Sequence, residues 1–135
     1  MKATAKVVYE GNLRTQCTHM QSGSVIQTDA PTDNNGKGEA FSPTDLLATS
    51  LITCMQTIVG IFCQNHSIPF SHCEGTVEKV MYSDPRRVGE LHVNLDFSEN
   101  KWDEKTQKKV QKAAEACPVA KSIHPDIKLT FTYLF

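Results

Sequence analysis

The chain is short of net charge: 135 residues sum to −1 with histidine neutral, so it carries no electrostatic footprint for nucleic acid or an acidic membrane surface. It also lacks any C-x-x-C pair, and its five cysteines (17, 54, 63, 73 and 117) are odd in number. That argues against the disulfide framework of a small secreted domain and for free thiols in a reducing, cytoplasmic compartment. The same spacing, with five scattered histidines, leaves no pattern for a structural zinc site. The opening M-K-A-T-A-K-V-V-Y has no apolar signal-peptide core, so secretion is not expected. No internal repeat or low-complexity tract interrupts the chain. Its length suits one domain, 1–135, able to bury a core without disulfide staples.

One absence is local. From Leu46 to Asn65 there is no charged residue. Ser42 before Pro43 is a natural N-cap, and Asp45 completes a capping box in acidic form. The spacing of Leu47, Leu51, Cys54, Ile58 and Ile61 predicts a helix with Cys54 in its middle, and other apolar residues cover its remaining sides. Such a helix is buried nearly all round, or it spans a bilayer. Thr49, Ser50, Thr53, Gln56 and Thr57 and the missing Lys/Arg flanks favour the buried helix. A chain of this length has little material to cover both of its sides, so a second copy is the expected cover, as a two-fold homodimer.

What surrounds this helix is read from turn signals and alternation. Strands are expected near 3–9, 13–20 and 24–28, joined first at Gly11-Asn12 and then at Ser22-Gly23. A turn-rich loop over 29–41 follows, long enough to suggest a function. The helix ends before Pro69. Strands are expected over 73–82 and through Leu91, Val93, Leu95 and Phe97, whose neighbours Glu90, His92, Asn94 and Asp96 face outward. Ser98 or Asn100 then caps a helix from Trp102 to Ala116. Cys117-Pro118 starts a short helical segment, and Ile127, Leu129, Phe131 and Tyr133 alternate in a last strand. The order βββ-α-ββ-α-β is an α+β fold.

Two cysteines stand out. Cys54 on an apolar helix is, on pattern alone, a packing thiol. Cys117 lies at a helix N-terminus, where backbone N–H groups and the dipole are expected to lower a thiol pKa. The stretch S-P-T-D-L-L-A-T-S-L-I-T-C, followed sixty-three residues later by C-P-V-A-K-S-I, resembles the OsmC/Ohr family of osmotically inducible and organic-hydroperoxide-resistance proteins. Gly36-Lys37-Gly38-Glu39 also resembles the glycine-rich approach to that helix. The resemblance covers the whole chain. It implies an OsmC-like fold, an intertwined homodimer and a thiol peroxidase for organic hydroperoxides that serves oxidative-stress defence.

By the same resemblance Cys54 is the peroxidatic cysteine and Cys117 the resolving one. Arg14, forty residues before Cys54, matches a hairpin arginine. A mid-helix thiolate needs such a cation, and a guanidinium also holds peroxide oxygens. In the organic-hydroperoxide branch an acidic partner of the arginine directly follows the proline. Here that position is Thr44, with Asp45 one residue later and Glu39 before it as candidate partners, which places the chain in a less characterised branch. No metal or organic cofactor is implied, and an external dithiol of lipoyl or thioredoxin type is needed. Two other readings stand beside this one. In the first, a non-catalytic or redox-sensing protein holds a small hydrophobic ligand in the dimer cleft. In the second, a cysteine enzyme works with His66 or His124, residues that are equally placed to meet the negative ends of helix dipoles.

Overall fold

The computed structural model describes residues 2–135, and its backbone gathers into two units, one ending at Leu46 and the other beginning at Leu47. In the first unit, β1 (Ala5–Gly11), β2 (Arg14–His19) and β3 (Val25–Asp29) form an antiparallel meander in chain order. The first hairpin turn falls on Asn12-Leu13, one residue later than expected. The ladder is irregular between Tyr9 and Gly11, and Gly11 pairs with Arg14. Asn12 and Leu13 take φ of 55° and 63°, the left-handed pair that a two-residue hairpin requires.

The long loop after β3 is built rather than slack. It makes a single 3-10 turn at Thr32–Asn34, and the Gly36 N–H donates to Pro31 O at 2.9 Å. A Cβ at Gly36 would sit 1.7 Å from Ala30 O, so only glycine fits there. The Asp29 N–H donates to Phe41 O and the Ala30 N–H to Leu13 O, which ties both ends of the loop to the hairpin.

Helix α1 (Pro43–Asn65) starts from the capping box that the sequence predicts. Ser42 Oγ accepts the Asp45 N–H, and Asp45 Oδ2 accepts the Ser42 N–H, each at 3.0 Å. In the second unit, β4 (Glu74–Tyr82), β5 (Arg87–Asp96) and β6 (Lys128–Leu134) form a sheet in that order, with β4 antiparallel and β6 parallel to β5. Between β5 and β6 the chain crosses over through α2 (Glu104–Glu115) and α3 (Pro118–Ser122), because a parallel pair cannot be closed by a tight turn. The alternation in β5 is as expected: Leu91, Val93, Leu95 and the following Phe97 are buried.

The cap of α2 differs from the expectation. Residues Ser98–Asn100 form a 3-10 turn, and Asp103 is the N-cap, accepting the Thr106 N–H. Asn100 is engaged elsewhere: its side chain accepts from the Ser71 N–H and donates to His72 O and Phe97 O. Trp102 therefore precedes the helix. Its indole donates to Pro69 O, and it joins Phe70, Phe97 and Phe135 in an aromatic cluster.

The buried stripe of α1 is also rotated from the predicted one. Ala48, Leu51, Ile52, Met55, Val59 and Cys63 are buried and share a core with Leu91, Val93, Leu95, Phe97 and Val110. Of the predicted stripe Leu51 is buried, Leu47, Cys54 and Ile58 are half-buried on its flank, and Ile61 is exposed, as are Thr53 and Thr57. In the single chain α1 is thus not buried all round. One face meets the core and the adjoining face remains open.

Candidate active site

Cys54 stands in the middle of α1, on the flank next to the core stripe, and is half-buried. Cys117 is fully buried and is the N-cap of α3, its Sγ accepting the Ala120 N–H at 3.4 Å. The two thiols are neighbours, and the Cys54 side chain is among the influences acting on the Cys117 thiol. All five cysteines are free thiols. The N-cap geometry of Cys117 is the predicted one, but its electrostatic outcome is reversed. Burial raises the Cys117 pKa, the Ala120 amide pulls it down, and the adjoining Cys54 thiol raises it again. Desolvation of a thiolate outweighs the backbone donors of a five-residue helix, so Cys117 is held as the thiol. Its neighbour Tyr133 is also kept protonated, first by burial and then by the Glu115 carboxylate, which accepts its hydroxyl at 2.9 Å.

Arg14 opens β2, directly opposite Asp29 in the β2–β3 register. Its Nε donates to Asp29 Oδ1 at 2.7 Å and its Nη2 to Oδ2 at 2.8 Å, a bidentate pair in the fork geometry that suits a carboxylate. Glu39 is an outer partner, 3.7 Å from Nη2 and largely exposed. Asp29 accepts the Glu39 N–H at 3.1 Å and is also bonded by the Ala40 N–H. The Arg14 hydrogen bonds hold the Asp29 carboxyl below its usual range against the opposing effect of burial, and Arg14 in turn is held firmly protonated by Asp29.

Of the predicted residues, the structure brings Cys54 to Cys117. It gives Arg14 the bidentate partner Asp29, with Glu39 behind it. It places Asp45 in the helix cap, bonded to the Ser42 N–H. Asp29 was missed because, read as a string, it opens a loop. Its signal was available in the hairpin register, which sets it across from Arg14. His66 closes α1, stacked on Phe62 with Nδ1 2.9 Å from Phe62 O. His124 accepts the Asp126 N–H within its own turn. His66 thus holds the helix-end place expected of it, whereas His124, also expected at a helix end, lies beyond the cap of α3 and is engaged within a turn. Among the described residues no group of three or more His, Cys, Asp or Glu side chains is placed to hold a metal ion.

Comparison with known proteins identifies the family and the fold. A family profile described as OsmC-like protein matches residues 36–132. The fold is similar to that of a Psychrobacter arcticus protein described as a candidate osmotic stress induced and detoxification response protein. The two share 53% identity over 98% of this chain and 96% of that one, with a TM-score of 0.93. It is also similar to an organic hydroperoxide resistance protein OsmC of Legionella pneumophila (16% identity, 97% and 95% covered, TM-score 0.77). A third is the organic hydroperoxide resistance protein OhrB of Bacillus subtilis (18%, 97% and 98%, TM-score 0.66). No protein with a curated description matches the sequence.

Proposed function

This chain belongs to the OsmC-like protein family, and from that premise we propose that it is a cytoplasmic thiol peroxidase that reduces organic hydroperoxides in oxidative-stress defence. The observation that carries the reading is the pairing of two unlike thiols. Cys54 lies on an open flank of α1, whereas its neighbour Cys117 is buried and held protonated. A nucleophile must meet substrate, and a resolving thiol must wait beside it as S–H. Each thiol sits where one of those roles needs it.

In the reaction the Cys54 thiolate attacks the distal peroxide oxygen. The O–O bond breaks, the leaving alkoxide takes a proton to become an alcohol, and Cys54 becomes a sulfenic acid. Cys117 then condenses with it, forming the Cys54–Cys117 disulfide and releasing water. An external dithiol, of lipoyl or thioredoxin type, gives up two electrons and two protons to restore both thiols. Arg14 is the cation assigned to the Cys54 thiolate and to the peroxide oxygens. Cys54 sits too far from the N-terminus of α1 for the helix dipole to stabilise its charge. Of the apolar residues expected to favour alkyl hydroperoxides over hydrogen peroxide, Ile58 lies half-buried on the flank of Cys54, whereas Leu51 and Met55 are buried in the core. The active form is assigned as a homodimer, which covers the open face of α1.

The test is intact mass after stoichiometric tert-butyl or cumene hydroperoxide, on wild type and Cys117→Ser. Wild type is expected to lose about two mass units, mapped to a Cys54–Cys117 disulfide, and the variant to stop at a dimedone-trappable sulfenic acid. If both proteins stay unchanged, the peroxidase reading fails and a ligand-binding role takes its place.

A further inference from the structure

We propose that Asp29 is the positioning residue that fixes the Arg14 guanidinium for this reaction, a role for which Thr44, the residue after Pro43, has no charge to offer. The proposal rests on the peroxidase reading through the part given there to Arg14. Three observations carry it.

The first is register. Arg14 and Asp29 are cross-strand partners at the end of the β2–β3 ladder, so the backbone itself sets the carboxylate against the guanidinium. The second is saturation. The Asp29 side chain is 2% exposed, and it receives Arg14 Nε and Nη2 together with the backbone N–H groups of Glu39 and Ala40. Removing Arg14 from this set would leave a buried carboxylate short of donors, which is costly, so the guanidinium stays. The third is what remains of Arg14. Asp29 takes one edge of the fork, Nε and Nη2. Among the described residues Nη1 has no hydrogen-bond partner, and the side chain is 30% exposed. The unused edge, with its planar pair of N–H groups, is therefore turned out in a fixed orientation and free to receive an oxygen of the substrate. Glu39 cannot do this work, because at 3.7 Å and 63% exposed it neither orients Arg14 nor is itself held.

Position and charge make opposite demands here. A carboxylate on Arg14 partly cancels the field that would stabilise the Cys54 thiolate, so its contribution is orientation rather than charge. That separates Asp29 from Arg14 experimentally. The second-order rate of peroxide reduction is measured with tert-butyl hydroperoxide. The pH midpoint of Cys54 alkylation by iodoacetamide is followed at the peptide level, on wild type, Asp29→Asn, Asp29→Glu and Arg14→Gln. Asp29→Asn is expected to slow peroxide reduction about 10- to 100-fold, the scale of a misplaced catalytic contact, with the alkylation midpoint unchanged or lower. Arg14→Gln is expected to slow the reaction and to raise the midpoint. Asp29→Glu, which keeps the charge, is expected to recover part of the rate.

Peroxide reduction by Asp29→Asn within twofold of wild type overturns the proposal. So does a midpoint raised as far as in Arg14→Gln, which would mean that Asp29 merely keeps Arg14 folded in place. Should Asp29→Asn fail to fold, Asp29→Glu decides: a rate equal to wild type overturns the proposal, and a slowed rate with a retained midpoint supports it. A wild type that consumes no peroxide overturns the peroxidase reading and this proposal with it. A peroxide-active wild type with an indifferent Asp29 overturns this proposal alone.

Discussion

The Sγ of Cys117 accepts the Ala120 amide at 3.4 Å, and yet the thiol keeps its proton, because burial outweighs that bond. Its neighbour Cys54 lies on the half-buried flank of α1. Alkylation at neutral pH is therefore expected to modify Cys54 well before Cys117, by about tenfold or more given the dependence of thiol reactivity on thiolate fraction and access. Peptide mapping after timed iodoacetamide quenching measures both. Equal rates, or Cys117 first, would reverse the roles assigned to the two residues.

Stability is expected to fall on both sides of a neutral plateau, for opposite reasons. On the acid side the folded pKa values of Asp29, Glu90, Asp96 and Asp103 are depressed, chiefly by hydrogen bonds from Arg14, Tyr82, Ser98 and Thr106 respectively. A depressed carboxyl contributes stability that is present above its unfolded pKa of about 4 and lost as pH falls below it. On the alkaline side burial raises the thiols of Cys63 and Cys117. A raised thiol binds its proton more tightly in the folded state, so that stability is present below the unfolded pKa of about 8.5 and lost above it. Melting temperatures under reducing conditions are expected to be flat from about pH 5 to 8 and to drop outside that window. Asp103→Asn should shallow the acid limb. A profile level down to pH 3 would contradict the carboxylate network.

Two glycines, Gly60 within α1 and Gly75 on the strand packed against it, are expected to respond with opposite signs. A Cβ at Gly75 in β4 would stand 2.7 Å from Asn94 O, 2.8 Å from Ile52 Cδ1 and 2.9 Å from Leu95 Cδ2. One of these is backbone of β5, which cannot swing aside as the tips of Ile52 and Leu95 can, so β4 must shift against β5, and Gly75→Ala should cost about 1–3 kcal/mol. At Gly60 the nearest atom is Phe70 Cε2 at 3.9 Å, ordinary contact in a helix interior. Gly60→Ala should therefore gain up to about 1 kcal/mol from helix propensity. Urea unfolding of the two variants measures the contrast, and a stabilised Gly75→Ala would mean that the β4–β5 backbone at Gly75 is not as close as 2.7 Å.

Element types and order were legible because each rests on local chemistry: the Ser42–Asp45 box, the alternation in β5, the Cys117-Pro118 start. What was not legible depended on partners distant in sequence. Asn100 resembles a cap, but His72 and Phe97 claim its side chain, and the cap passes to Asp103. The stripe through Cys54 and the stripe through Met55 are almost equally apolar, and only the sheet beneath decides which is buried. Arg14 was found by resemblance, while Asp29 needed the register of a hairpin whose turn is one residue away from its Gly-Asn signal. The pKa direction of Cys117 could not be read from its motif, since a cap is local and burial is not.

Exposed apolar surface supplies the last prediction. Across the meander, Val7, Cys17 and Ile26 stand in one row and share a face. Val7 is 58% exposed and Ile26 50%, and Tyr9, next on that face, is equally open. On α1 the exposed Ile61 continues the flank that carries Thr53 and Thr57. Patches of this kind mark a surface that another molecule covers, and a second copy is the occupant that two-fold symmetry makes cheapest. The protein is therefore expected to sediment near twice its 15.0 kDa chain mass. Ile61→Glu and Val7→Glu, neither of which touches the buried core, are expected to shift it toward the monomer while far-UV circular dichroism is retained. A wild type that sediments as a single chain at micromolar concentration would remove the dimer, and the open flank beside Cys54 would then be free surface in the working protein.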